Sequence, residues 1–156
     1  SYDGADASFE LLARRIIAKI PRYISIKEYD VSVTKNNVDE IVSKAKAKLE
    51  VDGEKIICEG EGNGPVHALD NAIRNNVDKL DKYAEYLKDL KLVDYKVRIL
   101  NTGTEAVTRV SIESTDSKGK NWFTIGVSPN IIEASFRALI DSLDYKLFKD
   151  NAPASN

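Results

Sequence analysis

Residues 28–33 read Glu28-Tyr29-Asp30-Val31-Ser32-Val33, and 66 positions later the chain repeats the pattern as Asp94-Tyr95-Lys96-Val97-Arg98-Ile99. In both stretches a tyrosine and two β-branched residues alternate with polar side chains. This period of two is typical of a strand with one buried face. The two stretches therefore predict equivalent first strands of an internal repeat.

Each predicted repeat continues with a hairpin. A second strand alternates in the same way, with inward residues Ala45, Ala47, Leu49 and Val51 in the first repeat and Ala106, Thr108, Val110 and Ile112 in the second. Turn residues at 51–54 and 116–119 lead into third strands at 55–59 and 121–127. Three antiparallel strands per repeat are thus expected.

A helix is predicted to close each repeat. Apolar residues recur at steps of three and four, namely Val66, Leu69, Ile73, Val77, Leu80, Ala84 and Leu87 in the first repeat and Ile132, Phe136, Leu139, Leu143 and Leu147 in the second. Such spacing gives an amphipathic helix with one apolar face. The fold class is therefore α+β, with two βββα units, because a three-stranded sheet needs a helix to cover one face.

The domain boundaries follow from these patterns. Residues 23–150 form the folded region, with repeat one at about 23–90 and repeat two at about 91–150. Residues 1–22 are expected to be the end of a connecting segment, with a short linker helix carrying Phe9, Leu12, Ile16 and Ile20 and ending at Pro21. Residues 151–156 contain no core-forming side chain beyond alanine and predict a disordered tail.

Composition excludes several functional classes. The chain has 156 residues and a net charge of −2, with 23 basic residues spread along it, which argues against a nucleic-acid partner. No apolar run is long enough to cross a bilayer, so no membrane partner is expected. The single cysteine allows no internal disulfide, and together with the lack of a signal peptide it favours a cytoplasmic location.

Few residues carry reactive chemistry. His67 is the one histidine and Cys58 the one cysteine, and no cluster has the spacing of a metal site. Neither a nucleophile elbow nor a phosphate loop is present. The sequence therefore predicts no catalysis and no metal site in this chain. His67 is expected to face solvent in the first turn of a helix, and Cys58 to lie in the core.

Two glycine- and proline-containing turns precede the helices. Gly62-Asn63-Gly64-Pro65 is matched by Gly126-Val127-Ser128-Pro129, 64 positions later. A helix start that is reached through glycine exposes backbone N–H groups and attracts anions such as a carboxylate. The turns are explained equally well as simple helix caps, with Asn130 and Glu133 as a capping box.

At these residues the sequence resembles the C-terminal regulatory domain of 2-isopropylmalate and citramalate synthases. The resemblance is carried by Gly62-Asn63-Gly64-Pro65-Val66, Tyr95-Lys96-Val97 and Ile131-Ile132-Glu133-Ala134-Ser135. The opening residues 2–12 resemble the segment just before that domain, and more closely that of the citramalate branch. The similarity extends to about Lys149.

The resemblance implies a role in regulation. The parent enzyme would condense acetyl-CoA with a 2-oxo acid in a metal-dependent TIM barrel that this chain lacks, so the divalent metal and acetyl-CoA belong to the parent. The regulatory domain would form a homodimer and act on the catalytic domain of its parent chain. Its feedback inhibitor, isoleucine for citramalate synthase, would bind near the dimer interface.

The family's effector-binding positions can be placed on this chain. They are Gly62, Gly64, Val66, Leu92, Tyr95, Ile99, Thr104, Ala106, Pro129 and Ile131. Tyr95, Ile99 and Ala106 would wall an apolar slot, and a helix start would take the carboxylate. From the residues alone, Tyr95 and Ile99 are better explained as core residues, because they share the inward face of a strand.

The sequence is also compatible with three alternative functions. The effector is leucine if the parent is a 2-isopropylmalate synthase. The chain is a dimerisation module without a ligand if the slot is filled by its own side chains. A βββα unit also occurs in RNA-binding modules, although the mixed charges of the first helix disfavour contact with phosphates.

Overall fold

The computed structural model describes residues 6–16, 21 and 23–155. A helix α1 (Asp6–Ile16) precedes the repeat. Unit one consists of β1 (Ser25–Lys35), β2 (Ile41–Val51), β3 (Glu54–Gly62), α2 (Pro65–Arg74), a 3-10 helix (Val77–Tyr83) and α3 (Ala84–Leu87). Unit two consists of β4 (Lys91–Thr102), β5 (Glu105–Thr115), β6 (Asn121–Ser128) and α4 (Ile131–Lys149). The predicted α+β fold with two βββα units is confirmed.

The two sheets repeat each other closely. Both are antiparallel with their strands in sequence order, β1-β2-β3 and β4-β5-β6. The first strand of each shifts register once, between Ile26 and Glu28 and again 66 positions later between Leu92 and Asp94. The shared irregularity confirms the repeat and its offset of 66.

The same offset relates the contacts between sheet and helix. A Cβ on Gly60 would meet the backbone of Ala72, and a Cβ on Gly126, 66 positions later, would meet the backbone of Ala134 and lie 3.0 Å from the backbone N of Ala138, which is 66 positions after Ala72. The helices begin after Gly64 and Asn130, which are also 66 apart. The turn match at offset 64 is therefore wrong: Pro65 is the first residue of its helix, whereas Pro129 lies before α4.

The core lies where the helices cover the sheets. Helix α2 packs on β2 and β3, α4 packs on β5 and β6, and the two helices contact each other. The inward residues predicted for β2 are all buried, and Val110 and Ile112 of β5 are fully buried. Ala106 is exposed instead, because it lies at the far end of its hairpin.

The first strands are less buried than the alternation predicts. Val33 and Ile99 are 63% and 71% exposed. A strand of 11 or 12 residues spans roughly 36–40 Å, whereas the ten-residue α2 spans about 15 Å. Helix α2 is too short to cover the whole face of β1, and α4 packs mainly on β5 and β6, so the ends of β1 and β4 remain uncovered.

The helical segment of unit one is broken rather than continuous. Helix α2 ends at Arg74, and a 3-10 helix with a non-helical Asp81 (φ 56°) follows. The Asn76 amide donates to the carbonyls of Glu59 and Ala72, which fixes the break against the sheet. The single helix predicted through Leu87 is therefore wrong, although Leu80 and Leu87 are still buried.

Helix α1 buries a different face from the predicted one. Ala7 and Leu11 are fully buried, whereas Phe9 and Leu12 are 61% and 55% exposed. The helix packs on β6 and α4, and the predicted contact residue Ile20 lies outside the described residues.

Residues 151–155, predicted to be a disordered tail, instead pack against unit one. Ala152 is buried, and the Tyr83 hydroxyl donates to the carbonyl of Pro153 at 2.7 Å. The backbone N–H of Asp52 donates to the Ser155 hydroxyl at 2.8 Å. The tail is held mainly through hydrogen bonds that no apolar pattern in the sequence would indicate.

Candidate functional site

The start of α2 is open. Gly64 precedes the helix in an extended conformation, and among the described residues no side chain caps the first turn. No acidic residue lies in that turn, and apart from the two neighbours of Gly64 in the chain no described residue has an atom within 4 Å of where a Gly64 Cβ would be. The positive end of the helix dipole is therefore left accessible to a negatively charged group.

The start of α4 is closed. The Asn130 side chain accepts hydrogen bonds from the N–H groups of Ile132 (2.8 Å) and Glu133 (3.2 Å). The predicted cap is thus present, but the Glu133 carboxylate pairs with Arg137 at 2.7 Å rather than returning to the cap. An anion at this start would displace a cap and meet a carboxylate, so the two helix starts differ chemically.

A contact between the units joins the open start to β4. The ring of His67, in the first turn of α2, packs edge-on against the ring of Tyr95, with centroids 5.1 Å apart and an interplanar angle of 73°. His67 is exposed, as the sequence predicts. Its contact with Tyr95 was not predicted, because no local spacing relates residues that lie in different units.

Tyr95 is the first residue of an apolar surface on β4 that is exposed to solvent in the single chain. The β4 apolar face, defined as Tyr95, Val97 and Ile99, lies on the helix-facing side of the sheet. Tyr95 is half-buried, Val97 is 40% exposed and Ile99 is 71% exposed. The surface therefore runs from the core at Tyr95 to solvent at Ile99.

The repeat provides a second surface of the same kind. The β1 apolar face, defined as Tyr29, Val31 and Val33, lies 66 positions earlier. Its tyrosine stacks on Phe136 of α4 with ring centroids 4.3 Å apart. Each first strand thus places its tyrosine against the helix of the other unit, with a different aromatic partner in each case.

The other predicted effector-binding residues are spread more widely. Val66 is 2% exposed and faces the core, and Leu92 is half-buried at the register shift of β4. Thr104 and Ala106 are exposed at the tip of the β4–β5 hairpin. Leu92 is paired with Ser114 in the sheet and Ala106 with Asn101, whereas Thr104 lies in the turn between β4 and β5.

Three further predicted positions lie at the helix starts. Gly62 ends β3, and a Cβ there would lie 2.7 Å from the Cβ of His67, so glycine is required by packing. Pro129 and Ile131 are exposed at the start of α4. The contacts therefore bring Gly62 and Tyr95 against His67, three residues after Gly64, while Pro129 and Ile131 belong to the other helix start.

The strongest charge cluster lies at the opposite end of α4. Lys146 is 2% exposed and contacts Asp116 at 3.0 Å, Asp89 at 3.3 Å and Asp150. Burial alone would raise the pKa of Asp116, but hydrogen bonds from Lys149 and Lys146 outweigh it and hold the pKa well below its usual range. Because these charges are paired with one another, the cluster is a structural element that the sequence did not reveal.

The described residues contain neither a metal-ligand cluster nor a membrane-spanning helix. Within residues 6–16, 21 and 23–155, no three histidine, cysteine or acidic side chains are grouped as metal ligands. The described residues thus do not fit the divalent metal that the resemblance assigns to a barrel. Over the same part of the chain, no helix is long and apolar enough to cross a membrane.

Comparison with known proteins identifies the family. Residues 3–147 match the LeuA allosteric (dimerisation) domain. The chain is 45% identical over 152 residues to the (R)-citramalate synthase of Aquifex aeolicus and 44% identical over 151 residues to that of Geobacter sulfurreducens. These alignments cover 96% and 95% of the chain but only 28% of each relative.

A more distant similarity extends to a second kind of synthase. The chain is 35% identical over 122 residues to the 2-isopropylmalate synthase of Clostridium acetobutylicum, covering 77% of the chain and 19% of that relative. The family match covers both βββα units and the preceding helix α1. The chain therefore belongs to the LeuA allosteric (dimerisation) domain family.

Proposed function

We propose that this chain is the feedback-inhibition domain of an (R)-citramalate synthase, and that a homodimer of it binds isoleucine at or near the dimer interface. The parent enzyme would condense acetyl-CoA with pyruvate in a separate catalytic domain, and this chain would not catalyse the reaction. The observation that carries the proposal is the exposed β4 apolar face beside the open start of α2.

The apolar face suits the side chain of a branched amino acid. Ile99 and Val97 offer exposed aliphatic surface next to the half-buried ring of Tyr95. Burying a four-carbon side chain against such a surface contributes roughly 2–3 kcal/mol. Isoleucine and leucine have the same number of carbons and differ only in methyl placement. Since even a whole methylene changes recognition only about 10–200-fold, the two would differ in affinity rather than in an all-or-none way.

The helix start suits the carboxylate. Backbone N–H groups at the beginning of a helix bind anions, and in the described part of the chain the first turn of α2 has no capping side chain and no acidic residue of its own. The His67–Tyr95 contact places this start next to the β4 apolar face. One ligand with a carboxylate and a branched aliphatic side chain matches both features.

A second copy of the chain would cover the remaining apolar surface. Val33 on the β1 apolar face and Ile99 on the β4 apolar face are both more than 60% exposed. Two-fold pairing of copies is the commonest way in which such surfaces are buried. An effector at that interface would regulate the parent by binding one arrangement of the dimer more tightly than another.

Calorimetric titration of the purified chain with isoleucine, leucine and valine tests the proposal. We expect saturable binding with isoleucine preferred, and a dimer by sedimentation. A preference for leucine would keep the sensor and assign the parent to 2-isopropylmalate synthesis. A folded dimer that binds none of the three would instead be a dimerisation module, and the sensor function would be refuted.

The internal repeat provides a matched control. Val33 and Ile99 occupy equivalent positions and are both exposed. If the effector binds the β4 apolar face, Ile99→Ser weakens isoleucine binding while Val33→Ser leaves it within about twofold, because a lost aliphatic contact is worth a factor of ten or more. Equal weakening by both variants would mean that the loss comes from dimerisation rather than from ligand contact.

A further inference from the structure

We infer that His67 is a positioning residue of the proposed effector site, whose imidazole ring holds the Tyr95 ring of unit two against the start of α2 in unit one. The inference rests on the proposed function, because it concerns the surface on which the effector would bind. It adds a residue beyond the ten positions that the family resemblance implies.

The geometry of the His67–Tyr95 ring pair is that of a favourable aromatic contact. The two rings meet edge-to-face at 5.1 Å and 73°, which is within the preferred arrangement for aromatic pairs. Across the sheet, Tyr95 is paired with the fully buried Ile112. Tyr95 is thus supported by the core of its own unit and by one ring from the other unit.

Gly62 fixes the position from which His67 projects. A Cβ on Gly62 would lie 2.7 Å from both the backbone N of Ala68 and the Cβ of His67. The end of β3 therefore lies directly against the first turn of α2, and any larger residue would push that turn away. We expect a Gly62 substitution to move Tyr95 indirectly, through His67.

The repeat shows that this contact is not a requirement of the fold. At the position equivalent to His67, unit two has Glu133, which pairs with Arg137 instead of an aromatic ring. The tyrosine equivalent to Tyr95, Tyr29, stacks on Phe136 at a different helix position. The His67–Tyr95 pair is therefore specific to the open helix start, where the effector carboxylate would bind.

Two variants test the role of the ring. We expect His67→Ala to weaken isoleucine binding about three- to tenfold, the factor that an edge-to-face pair contributes, and His67→Phe to restore it to within about twofold. Because His67 is exposed, neither variant should lower the melting temperature appreciably. Unchanged affinity in His67→Ala, or no recovery in His67→Phe, would overturn the inference.

Proton NMR separates this inference from the proposed function. His67 is the sole histidine, so the imidazole proton signals belong to it without further assignment. We expect Tyr95→Leu to shift these signals by removing a ring current, and isoleucine to shift them in the wild-type chain. Signals unaffected by Tyr95→Leu would overturn the contact. A wild-type chain without isoleucine binding refutes the proposed function, while the NMR result still decides whether His67 holds Tyr95.

Discussion

Replacing Lys146 by methionine removes the central positive charge of the buried cluster at the end of α4. Lys146 is 2% exposed and contacts three carboxylates, of which Asp116 has a fully buried side chain. Methionine matches the length of the lysine stem, so little volume is lost. The main consequence is that buried carboxylates lose a partner.

The loss of folding stability in Lys146→Met follows from the burial of the ion pairs. Removing one partner of a buried ion pair costs about 3–5 kcal/mol, because the other charge stays buried and uncompensated. Lys149 remains 2.6 Å from Asp116, so we expect the lower end, about 3 kcal/mol. For a chain of this size that corresponds to a fall in melting temperature of about 6–12 °C.

Urea unfolding at pH 7 and fixed protein concentration measures the effect, with the fluorescence of the buried Trp122 as the signal. Lys118→Met is the matched control, because Lys118 is 62% exposed and its pair with Asp150 is worth less than about 1 kcal/mol. Adding Asp116→Asn to Lys146→Met should recover part of the loss. Equal destabilisation by Lys146→Met and Lys118→Met would refute the reasoning.

Three further outcomes are expected. Because the pKa of Asp116 is lowered in the folded state, its ionised carboxylate stabilises the fold fully above the unfolded-state pKa of about 4, and this stabilisation is lost as the pH falls below that value. The urea midpoint of Asp116→Asn should therefore fall less steeply with acid than that of the wild-type chain. Gly126→Ala should cost more than about 2 kcal/mol in urea unfolding, since its Cβ would meet the Ala134 carbonyl, whereas Gly64→Ala, with open space around it, should cost less than about 1 kcal/mol. Equal costs would contradict that packing. Burial raises the pKa of the Cys58 thiol, so a thiol reagent should modify it only after urea unfolds the chain, and rapid modification of the folded chain would contradict its burial.

Local patterns predicted the elements that depend on neighbouring residues. The alternation at 28–33 and 94–99 gave the first strands, and the spacing from Ile132 to Leu147 gave α4. The cap at Asn130 also follows from residues only two and three positions away. Periods and caps are local properties, so they can be read without knowing which elements pack together.

Contacts between distant residues explain what local patterns missed. The break after Arg74 depends on Asn76 reaching the carbonyl of Glu59 in β3. The packed tail depends on Tyr83, whose hydroxyl reaches a carbonyl 70 positions later. In each case a polar side chain forms a hydrogen bond that changes the structure expected from the apolar pattern. The partner of that hydrogen bond is distant in the sequence and is identified only in the folded chain.

The candidate site divides in the same way. The sequence by itself determined the two βββα units and the glycine-containing start of α2. The effector-binding positions that the family resemblance implies stay a prediction. Only the tertiary structure decided that the start of α2 is open while that of α4 is capped, that Ile99 stays exposed on β4, and that His67 contacts Tyr95. Periodicity reports which face of an element is apolar, whereas exposure and contact between units depend on the length and placement of the elements that cover that face.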